Sequence, residues 1–111
     1  MSEDYIADAR GAVATTLGEK PIKLRLSFGA LNAIEAAAGK SFGLVMEDLE
    51  VMNISTFQLV ISEMAKAGGT PLSEGDWDAV PTPVAAIKSL MPAALAALDD
   101  TSAEATDEGK S

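Results

Sequence analysis

The side chains best suited to chemistry in this chain are carboxylates, which stand in pairs at Glu47/Asp48, Asp76/Asp78 and Asp99/Asp100. Paired carboxylates can act as general acid and base, or hold a hard cation. A cation loop needs several oxygen ligands at fixed offsets, and none of these pairs continues into that spacing. A glycosidase pair stays open on sequence alone, though no aromatic sugar-stacking platform accompanies the acids. Solvated surface acid is the better account. The chain has no His and no Cys. That removes triads built on Ser-His or Cys-His, thiolate metal sites and disulfides. The nine glycines fall at turns and helix ends, and no glycine-rich loop runs into a Lys-Ser or Lys-Thr pair. A protein that is not an enzyme, with no cofactor and no metal, is the expectation.

Charge narrows the partners. Eight Lys and Arg face 17 Asp and Glu, a formal net charge of -9 over 111 residues. A nucleic-acid binder needs cations to displace phosphate counterions, so none is expected as partner. No apolar run approaches the roughly 20 residues that span a bilayer. The acidic opening Met1-Ser2-Glu3-Asp4-Tyr5 lacks the basic start of a secretory signal, so a soluble cytoplasmic protein is expected. Against this acidic background Lys20, Lys23 and Arg25 make one segment locally basic. Such cations are either a solvent face and edge protection for a strand, or a contact for an acidic partner.

The elements that position these residues read as α+β, a hairpin followed by about four short helices. Residues 1–10 have no period and read as a flexible arm. A single globular domain is expected over 11–98. Within it, Gly11 to Leu17 is β-compatible, Gly18-Glu19-Lys20-Pro21 reads as a turn, and Ile22, Leu24, Leu26 and Phe28 alternate with Lys23, Arg25 and Ser27. That pattern predicts a hairpin over Ala12 to Phe28 with one buried face.

Helices follow. Ser27 caps the first, which Gly39 stops, and Ser41 opens the second. Ser55 and Gln58 match a capping box for the third, with Ile54 and Leu59 as a hydrophobic staple and Gly68-Gly69 as its end. Ser73 opens a short segment holding Trp77. Thr82-Pro83 starts a last helix whose apolar face reads Val84, Ile87, Met91, Ala94, Leu95 and Leu98, with Pro92 inside the run. The expected core is Ile22, Leu24, Leu26, Phe28, Leu31, Ile34, Val60, Ile61, Met64, Ile87 and Leu95. Residues 99–111 hold five acids and no large apolar residue, and read as a disordered tail.

Met46, Met52, Met64 and Met91 lie on or beside four predicted helices. Methionine fills irregular gaps in cores and also makes adaptable binding surfaces, and the positions do not choose between the two.

One stretch is more specific. Ile22 to Glu35, reading Ile-Lys-Leu-Arg-Leu-Ser-Phe-Gly-Ala-Leu-Asn-Ala-Ile-Glu, followed by Gly39, resembles the opening of a bacteriophage family found in gene transfer agents and related prophages. Lys66-Ala67-Gly68-Gly69 with Leu72-Ser73 resembles the family's next helix end and helix start, and the alanine-rich run to Leu98 fits as well. The likeness covers Gly18 to Leu98. The family is grouped with phage tail assembly chaperones, although members are sometimes labelled tail tube proteins; this chain is short for a tube subunit.

The resemblance implies a factor that binds the tape-measure protein during tail morphogenesis in the bacterial cytoplasm. The tail tube protein is a further partner it implies, and self-association stays open. A helical client would need accessible apolar surface, for which the least regular segments nominate Phe42, Met46, Met52 and Trp77. Alternatives are a small acidic inhibitor mimicking DNA, whose acids would form regular rows, and a minor structural component of the tail.

Overall fold

The computed structural model describes the backbone of residues 12–110 and the side chains of residues 12–98. The expectation of an arm over 1–10 lies outside the described residues. The expected tail over 99–111 falls where side chains are outside them too.

The chain is α+β and mostly helical. An antiparallel hairpin of β1 (Val13–Leu17) and β2 (Lys20–Leu24) precedes α1 (Phe28–Ala38), α2 (Phe42–Glu50), α3 (Ile54–Ala67), α4 (Glu74–Asp78) and α5 (Pro83–Lys110). The hairpin is tighter than the sequence suggests. Leu17 pairs with Lys20, so the turn is the two residues Gly18 and Glu19, with Gly18 at φ 62°. A positive φ at the first turn position is the primed geometry that matches strand twist, and glycine adopts it without steric cost.

β2 also ends earlier than its alternation. The Arg25 N–H leaves the ladder and donates to Met64 O at 3.0 Å. Ser27 then caps α1, its Oγ accepting from Ala30 N at 3.1 Å. The alternating face stops with Ile22 and Leu24; Leu26 is only half-buried, and Phe28, first residue of α1, is 84% exposed. The hairpin expected to reach Phe28 therefore gives way to a helix start. The cap needs Ser27 extended, and the first helical residue then points away from the sheet.

The outer edge of β2 is closed. Lys23 N donates to Thr70 Oγ1 at 3.0 Å, and that hydroxyl shares its one proton between Lys23 O and Ala65 O. Pro21, two residues earlier, has no N–H to leave open.

One apolar cluster draws on the hairpin and on four of the helices. Leu17, Ile22 and Leu24 meet Ile34 of α1, Val45 of α2, Phe57, Val60, Ile61 and Met64 of α3, and Ile87, Leu90, Ala94 and Leu98 of α5. α3 lies along β2 and α5 along β1, while α1 and α2 pack on α3. On α5 the buried side is rotated by about one residue from the expected one. Leu90 is buried, whereas Leu95 and Val84 are exposed. An alanine-rich helix leaves the choice between adjacent faces to its neighbours, because Ala fits either. Leu31 is half-buried as well, since Ala30 and Ile34 take the inner side of α1.

Gly39 stops α1 in the left-handed conformation, φ 73°, as expected. The N-cap of α3 lies two residues before the expected one. Asn53, not Ser55, is its N-cap, with Oδ1 accepting from Thr56 N at 3.1 Å. Asn and Ser are comparable caps, and the α2–α3 turn decides between them by setting the Asn53 backbone extended. Ile54 is exposed, so the expected staple is not formed.

Candidate functional site

α2 is built to show two apolar sides. Val45 and Leu49 face the cluster, with Phe42 and Met46 half-buried beside them. Leu44 on the helix and Val51, its C-cap residue seven positions on, are turned away from the cluster, 48% and 75% exposed. Two turns of helix put them about 10 Å apart along the axis. The chain then turns through Met52, 41% exposed, and Asn53 into Ile54, 47% exposed. Leu44, Val51, Met52 and Ile54 are thus the large apolar side chains left exposed around the corner where α2 meets α3.

The corner is held firmly. Met52 has φ 64°, the one non-glycine residue with positive φ among those described. A side chain in that region carries a backbone cost of about 1 kcal/mol, tolerated where surrounding bonds fix it. Those bonds are present. Met52 N and Asn53 N donate back into α2, to Leu49 O at 3.1 Å and Asp48 O at 2.9 Å.

Asp48 ties the two helices together, its Oδ2 accepting from Lys40 Nζ and from Thr56 Oγ1 at 3.2 Å. The Lys40 hydrogen bond, helped by Thr56 and the Lys40 charge and opposed by partial desolvation, holds the Asp48 carboxyl below its ordinary pKa. At the other end of α2, Glu35 Oε2 accepts from Phe42 N at 2.8 Å. It caps the helix where the Ser41 side chain does not.

Of the four residues nominated from sequence, Met52 is the most exposed and belongs to this corner. Phe42 and Met46 sit on the inner side of the same helix, packed against the cluster. Trp77 lies elsewhere, on α4, also against the cluster, with Nε1 donating to Ser62 Oγ of α3 at 3.1 Å. Leu44, Val51 and Ile54 were not nominated. The signal for the first two was present: with Val45 and Leu49 inward, a seven-residue spacing places Leu44 and Val51 outward. The methionine alternatives divide, Met64 in the core and Met52 at the surface.

Among the described residues the pairs Glu47/Asp48 and Asp76/Asp78 sit on different helices, α2 and α4, and the side chains of Asp99/Asp100 lie outside the described residues. Asp48 is engaged as above. Asp76 closes a capping box with Ser73 and lies 3.7 Å from Lys20. The Ser73 backbone N–H holds its pKa down, opposed by partial desolvation and helped by Lys20. A cleft between the hairpin turn and the start of α5 has that Lys20–Asp76 pair on its lining, along with Thr16, Val80 and Ala86. Among the described residues no group of three or more His, Cys, Asp or Glu could hold a metal ion, and no helix is long and apolar enough to cross a membrane. Comparison with protein-family models, with curated proteins and with solved structures finds no match.

Proposed function

We propose that this chain is a non-enzymatic assembly factor of a bacteriophage or gene-transfer-agent tail. It covers apolar helical segments of the tape-measure protein until the tail tube encloses them. The observation that carries the reading is the corner of Leu44, Val51, Met52 and Ile54, four large apolar side chains left open in a chain of net charge -9. A monomer rarely leaves such side chains clustered without use. The resemblance of Ile22 to Glu35 and of the later helix boundaries to tail assembly chaperones supports the same reading.

The physics is straightforward. A tape-measure chain is long and helical, and its apolar stripes aggregate when bare. A small acidic cover buries the stripe and adds mutual repulsion between complexes. The work is done in the bacterial cytoplasm before the tail is complete, with the tube protein as a second contact. Co-expression with a tape-measure protein tests it: the two proteins should co-purify, and the tape measure should be soluble only in company. A tape measure that stays soluble alone, or that never co-purifies, would end the proposal.

A further inference from the structure

We infer that the α2–α3 corner selects a partner helix whose apolar stripe is flanked by Lys or Arg. The inference rests on the reading above that the corner takes a helical client, and it names the chemistry of that client. Three features of the corner carry it.

The first is spacing. Leu44 on α2 and Val51 at its C-cap are seven residues apart, about the separation of i and i+7 anchors on a helix lying alongside. The second is charge. Glu47 and Glu50 are exposed on α2 between and beside these apolar residues. The third acid there, Asp48, is already committed to Lys40 and Thr56. Among the described residues neither Glu47 nor Glu50 joins an ion pair. A docked helix with cations beside its stripe gives both carboxylates partners.

A second copy of this chain would instead set Glu47 and Glu50 against themselves, in a molecule already at -9. The third feature is rigidity. Met52 and Asn53 are pinned by the bonds described above, so little ordering is lost when the surface is covered.

The test uses the full chain and two synthetic amphipathic helical peptides of about 18 residues, long enough to hold a helix. Both carry leucines at i, i+3, i+7 and i+10; one has Lys beside the stripe and the other Glu. Amide shifts on titration report the site, and anisotropy reports affinity. The Lys peptide should bind at residues 44–54, about tenfold more tightly than the Glu peptide, and lose that advantage as salt rises to roughly 0.5 M.

The paired changes Glu47→Lys and Glu50→Lys, both at exposed positions, should reverse the preference. Val84→Glu on the outer side of α5 should change neither affinity. Equal affinities, no binding, or shifts centred on α5 would overturn the inference. The peptides contain nothing of a phage tail, so the two readings fail separately. Peptide selectivity without tape-measure co-purification ends the tail proposal alone, and co-purification with unselective peptides ends this one alone.

Discussion

Gly68 lies directly against the Lys23 carbonyl: a Cβ built on Gly68 would stand 2.2 Å from that oxygen. The contact is where the end of α3 closes over the outer edge of β2, beside the Thr70 hydroxyl that bonds both Lys23 N and Lys23 O. A backbone oxygen cannot swing aside as a side chain can, so Gly68→Ala must separate helix from strand. The expected cost is about 1–3 kcal/mol. Gly43, helical with open space around its Cβ position, makes the contrast. There alanine should add about 0.5–1 kcal/mol of stability. Thermal melts of the two variants should move in opposite directions, and a Gly68→Ala melt equal to the parent's would refute the close approach.

The end of β2 makes a second comparison. Leu24 is fully buried while Phe28, two steps on in the same alternating pattern, is the most exposed large apolar side chain described. Leu24→Ala should cost about 2–5 kcal/mol, and Phe28→Ala should stay within about 0.5 kcal/mol. Chemical denaturation measures both. A large loss at Phe28 would restore the longer strand.

Where sequence reading succeeded and failed here follows from what each residue can express locally. Ser27, Gly39, Ser73 and the Thr82-Pro83 pair act through their own backbone, and each marks the boundary it predicts. Leu26 and Phe28 mislead because period 2 continues past Leu24, while the cap at Ser27 is formed from the other side. Leu95 misleads because α5 is mostly alanine between its larger residues, and the hairpin chooses which side it accepts. The apolar corner stayed hidden for another reason. The helical spacing of Val45 and Leu49 already implies an outward Leu44 and Val51, but spacing alone does not say how much of them the neighbouring turn leaves uncovered, and for Ile54 the expected staple pointed the other way.

Met52 holds a backbone conformation that glycine adopts freely. Met52→Gly should therefore leave stability unchanged or raise it by up to about 1 kcal/mol, even though a large side chain is lost. A clear fall in the denaturation midpoint would mean that the Met52 side chain is packing rather than presented to solvent.

Acid should weaken the fold through two identified carboxylates. Asp48 and Asp76 both have folded-state pKa values below their ordinary one near 3.8. A depressed pKa means the folded state binds its proton later than the unfolded chain does. The associated stability is present above the ordinary value and is lost as pH falls through the lower, folded one. Melts recorded from neutral pH down to about pH 2 should therefore decline mainly below about pH 4. Asp48→Asn should be less stable at neutral pH and show a shallower decline. An unchanged acid limb in that variant would assign the effect to other groups.

Surface and core lie five residues apart at the end of α2. Val51 and Met46 are both apolar residues of the α2 region, but Val51 is open to solvent while Met46 is half-buried against Val45, Leu49 and the rest of the cluster. A carboxylate at position 51 stays hydrated and costs little, whereas one at position 46 must be desolvated or force the helix off the core. Trp77 resembles Met46, since its ring leans on the cluster and its Nε1 is bonded to Ser62. Met46→Glu and Trp77→Glu should each lower the thermal midpoint by several degrees, on the order of 1–3 kcal/mol for a domain of this size. Val51→Glu should melt with the parent protein. In cells producing particles, Val51→Glu should nevertheless fail to retain the tape-measure protein and yield no tails. If Val51→Glu is folded and still supports tails, the corner is not the client surface. If Met46→Glu or Trp77→Glu is folded but defective, the surface lies on those residues instead.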